Sequence, residues 1–111
     1  MNIESTKLER AVVLKVKGRM DAENANTFQR ECEAWIGTGA MHLIADLSEL
    51  QYVSSMGLAS FLTVAKALQG KGGSMILCRL QALPKQVFEI THLIGLFPVF
   101  DSTDAALASL R

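Results

Sequence analysis

Ser54 and Ser55 stand just ahead of Leu58, Phe61, Leu62, Ala65 and Leu68, an apolar set at helical spacing that ends at Gly70. A serine pair at a helix start has two chemical uses. As an N-cap, a hydroxyl satisfies backbone N–H groups that the first turn leaves without partners. As a phosphate acceptor, a hydroxyl there is exposed, carried on a rigid element and close to the positive end of the helix dipole. The fold can tolerate a group of about −1.5 to −2 charges in that place. Capping accounts for one serine, and Gly57 lets two backbones approach closely. Residue types and spacing support the two uses about equally.

Other chemistries find less support. Gly70-Lys71-Gly72-Gly73-Ser74 is glycine-rich, but a loop that cradles phosphate runs from a strand into a helix. These glycines leave a helix and enter a strand, so they read as a helix stop and a turn. His42 and His92 do not pair with Cys32 or Cys78 at metal-ligand spacing. A Ser55–His92–Asp46 triad lacks the nucleophile-elbow glycines expected around Ser55. No enzymatic activity, metal or cofactor is expected.

The chain must place this serine pair with 111 residues, enough for a single domain over 1–111, since domains commonly run to roughly 100–150 residues. Half the residues are apolar, and eleven basic side chains balance eleven acidic ones. A neutral chain lacks the basic excess that neutralises phosphates, so direct nucleic-acid binding is not expected. Cys32 and Cys78 are too few for a disulfide framework and read as buried thiols in a reducing cytosol. Lys7, Glu9, Arg10, Lys15 and Lys17 interrupt any early apolar segment, which argues against a signal peptide. The uncharged stretches 50–65 and 90–100 fall short of the about 20 apolar residues that span a membrane. No membrane insertion is expected, and the protein reads as soluble and cytoplasmic.

The elements alternate along the chain. In 11–18, Val12, Leu14 and Val16 alternate with Lys15 and Lys17, a half-buried strand; 3–8 alternates more weakly, with Glu9-Arg10 as a hairpin turn. Asp21 reads as the N-cap of a helix with Ala25, Phe28, Cys32, Trp35 and Ile36 on one face, stopped by Gly37 and Gly39. The run 42–47 is an apolar strand that Asp46 closes, and 47–53 reads as a loop leading to the serine pair. A further strand covers 75–80. Pro84 opens a third helix, with Val87, Ile90, Thr91 and Ile94 inward and Gly95 at its end. Phe97 to Phe100 form an edge strand containing Pro98, and Ser102 or Thr103 caps a closing helix through Leu110. The order β-β-α-β-α-β-α-β-α predicts an α/β fold, a mixed sheet packed with helices.

The segment Asp46-Leu47-Ser48-Glu49-Leu50-Gln51-Tyr52-Val53-Ser54-Ser55-Met56-Gly57-Leu58 resembles the signature of STAS domains, named for sulphate transporters and anti-sigma factor antagonists. Gly18-Arg19-Met20-Asp21-Ala22 is similar to the family's turn into its first helix, and Phe100-Asp101-Ser102-Thr103-Asp104-Ala105-Ala106 to its ending. The resemblance covers almost the whole chain. It implies a STAS-like fold and the role of a free-standing bacterial anti-sigma factor antagonist, which regulates transcription indirectly by partner switching. In such a cycle the unmodified antagonist binds an anti-sigma factor that is also a serine/threonine kinase, and so releases a sigma factor. The kinase phosphorylates the antagonist and ends binding; a serine phosphatase resets it. The acceptor position falls on Ser55, with Ser54 the second choice. By the same resemblance Asp21, Ser54, Met56 and Gly57 line the partner surface. The chain departs from many phosphorylated members, which carry aspartate where Ser54 stands and serine where Met56 stands. Two other readings remain: a non-phosphorylated STAS scaffold subunit of a lipid-transport or stressosome-like complex, and a nucleotide-binding STAS module.

Overall fold

Val12, Leu14 and Val16 turn their side chains into the core while Val13, Lys15 and Lys17 on the opposite face stay partly exposed, as alternation requires. A computed structural model of the chain, describing residues 1–110, places them in β2 (Val12–Met20). Its antiparallel partner is β1 (Asn2–Lys7), joined to it through Glu9-Arg10, with the Leu8 N–H bonded to the Ala11 carbonyl at 2.8 Å. After α1 (Ala25–Gly37), β3 (His42–Val53) lies parallel to β2. Helix α2 (Ser55–Gln69), β4 (Ser74–Cys78), α3 (Ala82–Ile90), a 3-10 turn (Ile94–Leu96), β5 (Val99–Phe100) and α4 (Thr103–Ala108) follow. The strands stand in the order β1-β2-β3-β4-β5, with only the first pair antiparallel. This is the mixed α/β fold that the element order predicts. Pro98 immediately precedes β5, at the edge of the sheet, where its missing N–H costs no ladder bond.

The larger core lies between the sheet and helices α1, α2 and α3. Leu14, Leu43, Ala45, Leu47 and Leu77 meet Phe28, Phe61 and Phe88, all fully buried. Phe61 sits at the centre of an aromatic cluster, its ring 4.6 Å from Phe28, 5.5 Å from Phe88 and 6.3 Å from Phe97. On the other face, Ala106 and Leu107 of α4 cover Ile44, Ile76 and Cys78. Beyond α4 that face carries exposed ion pairs, Lys15 with Glu49 at 2.9 Å and Lys17 with Glu4 at 2.8 Å. The hydrogen bond from Lys15 holds the Glu49 carboxyl below its usual range, and the bond to Glu4 raises the Lys17 ammonium. Both cysteines are buried and free, and burial pushes both thiols up, which disfavours the reactive thiolate.

The largest departure from expectation concerns 47–53. These residues are not a loop but the second half of β3, hydrogen-bonded to β2. The register shows why the pattern misleads. Lys15 faces Asp46 but Lys17 faces Glu49, and Gly18 faces Leu50 but Arg19 faces Tyr52, so β3 gains one residue on β2 twice. The buried residues therefore fall at Leu47, Leu50 and Val53, a spacing of three that matches neither strand nor helix. Asp46, expected to close the strand, lies inside it.

Smaller corrections follow from local chemistry. Strand β4 ends at Cys78 rather than Leu80, because Arg79 takes a left-handed backbone with φ 56°. Helix α1 begins at Ala25, after a turn, so Asp21 is not its N-cap; Asn24 holds that position. Helix α3 ends at Ile90, not near Gly95. His92 adopts φ 61° there, with its N–H on the Glu89 carbonyl and the Leu93 N–H on the Phe88 carbonyl, both at 3.0 Å. That is a Schellman closure, usually made with glycine, as at Gly72 after α2. With the helix shortened, Phe88 turns inward while Ile90 and Thr91, expected inside, are exposed, Ile90 by 76%. Helix α4 stops at Ala108 rather than Leu110, and Ser102 is its cap, accepting the Ala105 N–H at 3.0 Å.

Candidate functional site

The parallel strands β2 and β3 end side by side, with Met20 opposite Val53. Each runs straight into a segment of candidate site residues: Asp21 follows Met20, and Ser54 follows Val53. The Ser54 N–H donates to the Met20 carbonyl at 2.8 Å, which ties the two segments together at the C-terminal edge of the sheet. Open α/β sheets commonly place their sites at this edge.

The two serines have separate tasks here. Ser54 has an extended backbone and its hydroxyl accepts the Gly57 N–H at 3.1 Å, so it is the N-cap of α2. Ser55 is the first residue of the helix and is exposed. Among the described residues its hydroxyl makes no hydrogen bond, which leaves the oxygen open to reaction. Ser54→Ala is expected to cost about 0.5–2 kcal/mol, the usual value of a lost cap, measured by urea unfolding. An unchanged midpoint would contradict the capping role.

Asp21 is held firmly. One carboxylate oxygen, Oδ1, accepts the N–H groups of Glu23 and Asn24, both at 3.1 Å. Asn24 answers with its own Oδ1 on the Asp21 N–H at 2.9 Å and its amide on the Arg19 carbonyl at 2.9 Å. These reciprocal bonds fix the turn that precedes α1. Met56 is 51% exposed, so it belongs to the surface and not to the core. Gly57 is different: it is buried. A Cβ added there would lie 2.8 Å from Val53 Cγ2 and 2.9 Å from Met20 Sδ. It lets α2 seat against the ends of β2 and β3, the close backbone approach that its residue type suggested. Gly57→Ala is expected to lower stability by about 1–3 kcal/mol through overpacking, read as a fall in the thermal midpoint; equal midpoints would refute the close approach.

A residue that sequence reasoning passed over also stands at this edge. The Arg19 guanidinium lies over the Tyr52 ring, 4.4 Å from its centre. The pair arises because Arg19 and Tyr52 are opposite each other in the β2–β3 register. With 47–53 read as a loop, no cross-strand neighbour could be assigned. A groove of about 640 Å³ runs alongside, between Gly18, Glu49, Leu50 and Gln51 on the strands and Leu83 and Pro84 on α3.

The alternative chemistries gain no geometry. Asp46 is buried, accepts the Ser48 N–H at 3.1 Å and lies 3.8 Å from Arg79, with no histidine among its bonds. His42 shares a 2.8 Å hydrogen bond with Ser74. Among the described residues no group of three or more His, Cys, Asp and Glu could hold a metal ion, and no helix is long and apolar enough to cross a membrane.

Comparison with known proteins points in one direction. The family model for the STAS domain matches residues 2–106. BtrV of Bordetella bronchiseptica, provisionally named an anti-sigma factor antagonist, is 32% identical over 111 residues, which cover 100% of this chain and 96% of that protein. Among solved structures, a Thermotoga maritima protein provisionally described in the same terms matches with a TM-score of 0.92 at 19% identity, over 98% of this chain and 94% of that one. The anti-sigma factor antagonist SpoIIAA in its unphosphorylated form matches with a TM-score of 0.87 at 19% identity, over 99% and 96% of the two chains. Its phosphorylated form matches with a TM-score of 0.79 at 20% identity, over 99% and 100%. At such identities the structures establish the shared fold.

Proposed function

Because the chain belongs to the STAS domain family and groups there with anti-sigma factor antagonists, we propose that it is a phosphorylation-switched antagonist with Ser55 as its acceptor. The observation that carries this reading is the division of labour at the start of α2. Ser54 is committed to the cap, while Ser55 offers a free, exposed hydroxyl on the first turn. Phosphorylating Ser55 therefore breaks no hydrogen bond of the fold, and the helix dipole favours the added negative charge.

The partner surface consists of Ser55, Ser54, Met56 and the turn carrying Asp21. Met56 supplies an adaptable apolar contact. Asp21 supplies acidity through a carboxylate fixed by two backbone N–H groups. An anti-sigma factor with serine/threonine kinase activity docks there in the cytoplasm, phosphorylates Ser55 and is released, and a serine phosphatase restores binding. The chain itself performs no catalysis. The test is size-exclusion chromatography of the chain with its native anti-sigma factor. The complex should form with ADP, dissolve on incubation with ATP and re-form after phosphatase treatment. A complex that survives ATP would favour a constitutive scaffold instead.

A further inference from the structure

Five methionines and two cysteines carry the sulfur of this chain, and the fold exposes them very unequally. Cys32 and Cys78 are buried, and burial disfavours the thiolate through which cysteine meets oxidants. Met20 and Met75 are buried as well. Met1 and Met41 are each 37% exposed, while Met56, at 51%, is the most exposed of the seven. Met41 immediately precedes β3, at the end of that strand opposite Ser54. Met56 instead follows Ser55 directly, and both are exposed residues of the first turn of α2. A partner of ordinary footprint, about 800 Å² on its side, cannot cover Ser55 and leave out this neighbour.

A thioether suits such a contact because it is apolar, flexible and polarizable. One added oxygen makes it a sulfoxide, a polar acceptor that is unfavourable to bury without a donor. We propose that Met56 is an oxidation site that closes the same docking surface as Ser55: hydrogen peroxide converts its thioether to the sulfoxide, and partner binding is lost without any phosphate. The sulfur takes one oxygen as the O–O bond breaks. It gives up two electrons to the peroxide, whose other oxygen leaves as water. A methionine sulfoxide reductase with a thiol reductant reverses the step, releasing the oxygen as water and leaving the reductant as a disulfide. The inference rests on the partner docking around Ser55. Two adjacent residues then close one surface by separate chemistries, one requiring a kinase and the other only an oxidant.

The test treats the full chain with hydrogen peroxide and locates the sulfoxides by mass spectrometry of digests. Met56 should convert ahead of Met1 and Met41. The oxidised chain should bind its native anti-sigma factor roughly ten- to hundredfold more weakly, and sulfoxide reductases should restore the affinity. Met56→Leu, measured against its own value before treatment, should not respond to peroxide. Oxidation of Met1 or Met41 ahead of Met56, or a wild-type affinity that peroxide leaves unaltered, would overturn the proposal. If peroxide has no effect while a phosphate on Ser55 still abolishes binding, the Met56 site alone falls. If neither modification changes the affinity, the docking surface falls with it.

Discussion

Ser55→Ala is expected to hold the anti-sigma factor whether or not ATP is present, while Ser55→Asp binds on the order of 100-fold more weakly. The surface around Ser55 contains Met56, half exposed, and the carboxylate of Asp21. A partner that covers them must strip water from whatever stands at position 55. A serine hydroxyl is desolvated at small cost, but an unpaired buried ion costs several kcal/mol. Each ~1.4 kcal/mol is tenfold in affinity, so one charge is enough to dissolve a complex of about micromolar strength. Aspartate carries a single charge and a phosphoserine about −1.5 to −2, so the true modification should weaken binding further than the mimic. Titration calorimetry of the two variants against the partner decides the matter. Equal affinities would mean that position 55 lies outside the contact.

Phe61→Ala is expected to be the most damaging truncation in the core. The Phe61 side chain is fully buried and contacts the rings of Phe28 and Phe88, with Phe97 completing the cluster. Phe28 belongs to α1 and Phe88 to α3, so this one side chain joins the helices flanking α2. Removing it leaves a cavity that the rigid sheet cannot collapse, at a cost of about 3–5 kcal/mol. Against a total stability of ~5–15 kcal/mol for a domain, the variant should be partly unfolded near body temperature or strongly shifted in urea. A loss below about 1 kcal/mol would show that the cluster is loosely packed. Because α2 carries Ser55, the same variant should also lose partner binding as its unfolded fraction rises.

The fold was legible where the pattern keeps one period. Val12, Leu14 and Val16 mark β2 by strict alternation, and the glycines after α1 and α2 mark two helix ends. The order of elements and the mixed sheet follow from these signals. Reading failed where backbone irregularity overrides period. The two extra residues in β3 place Leu47, Leu50 and Val53 inward at a spacing of three, which disguises half a strand as a loop. His92 closes α3 in a left-handed conformation that glycine normally supplies, so nothing in its residue type announced the stop.

The candidate site was legible to the same degree. That Ser54 and Ser55 meet the start of α2 is plain from the apolar spacing, but which of them caps is a matter of side-chain geometry. Asp21 was placed in the neighbouring turn, though for a helix cap it does not make. Gly57 was read from its residue type as a point of close backbone approach, and the tight fit against Val53 and Met20 is that approach. Arg19 over Tyr52 was out of reach without the strand register that pairs them.

The central claim, that this chain is switched at Ser55, is tested most directly by mapping the phosphate. The chain is incubated with its native anti-sigma factor kinase and ATP, digested and sequenced by mass spectrometry. A single added phosphate on Ser55, absent from Ser55→Ala, is the predicted result. Modification at Ser54, or no modification under conditions where the two proteins bind, would contradict it.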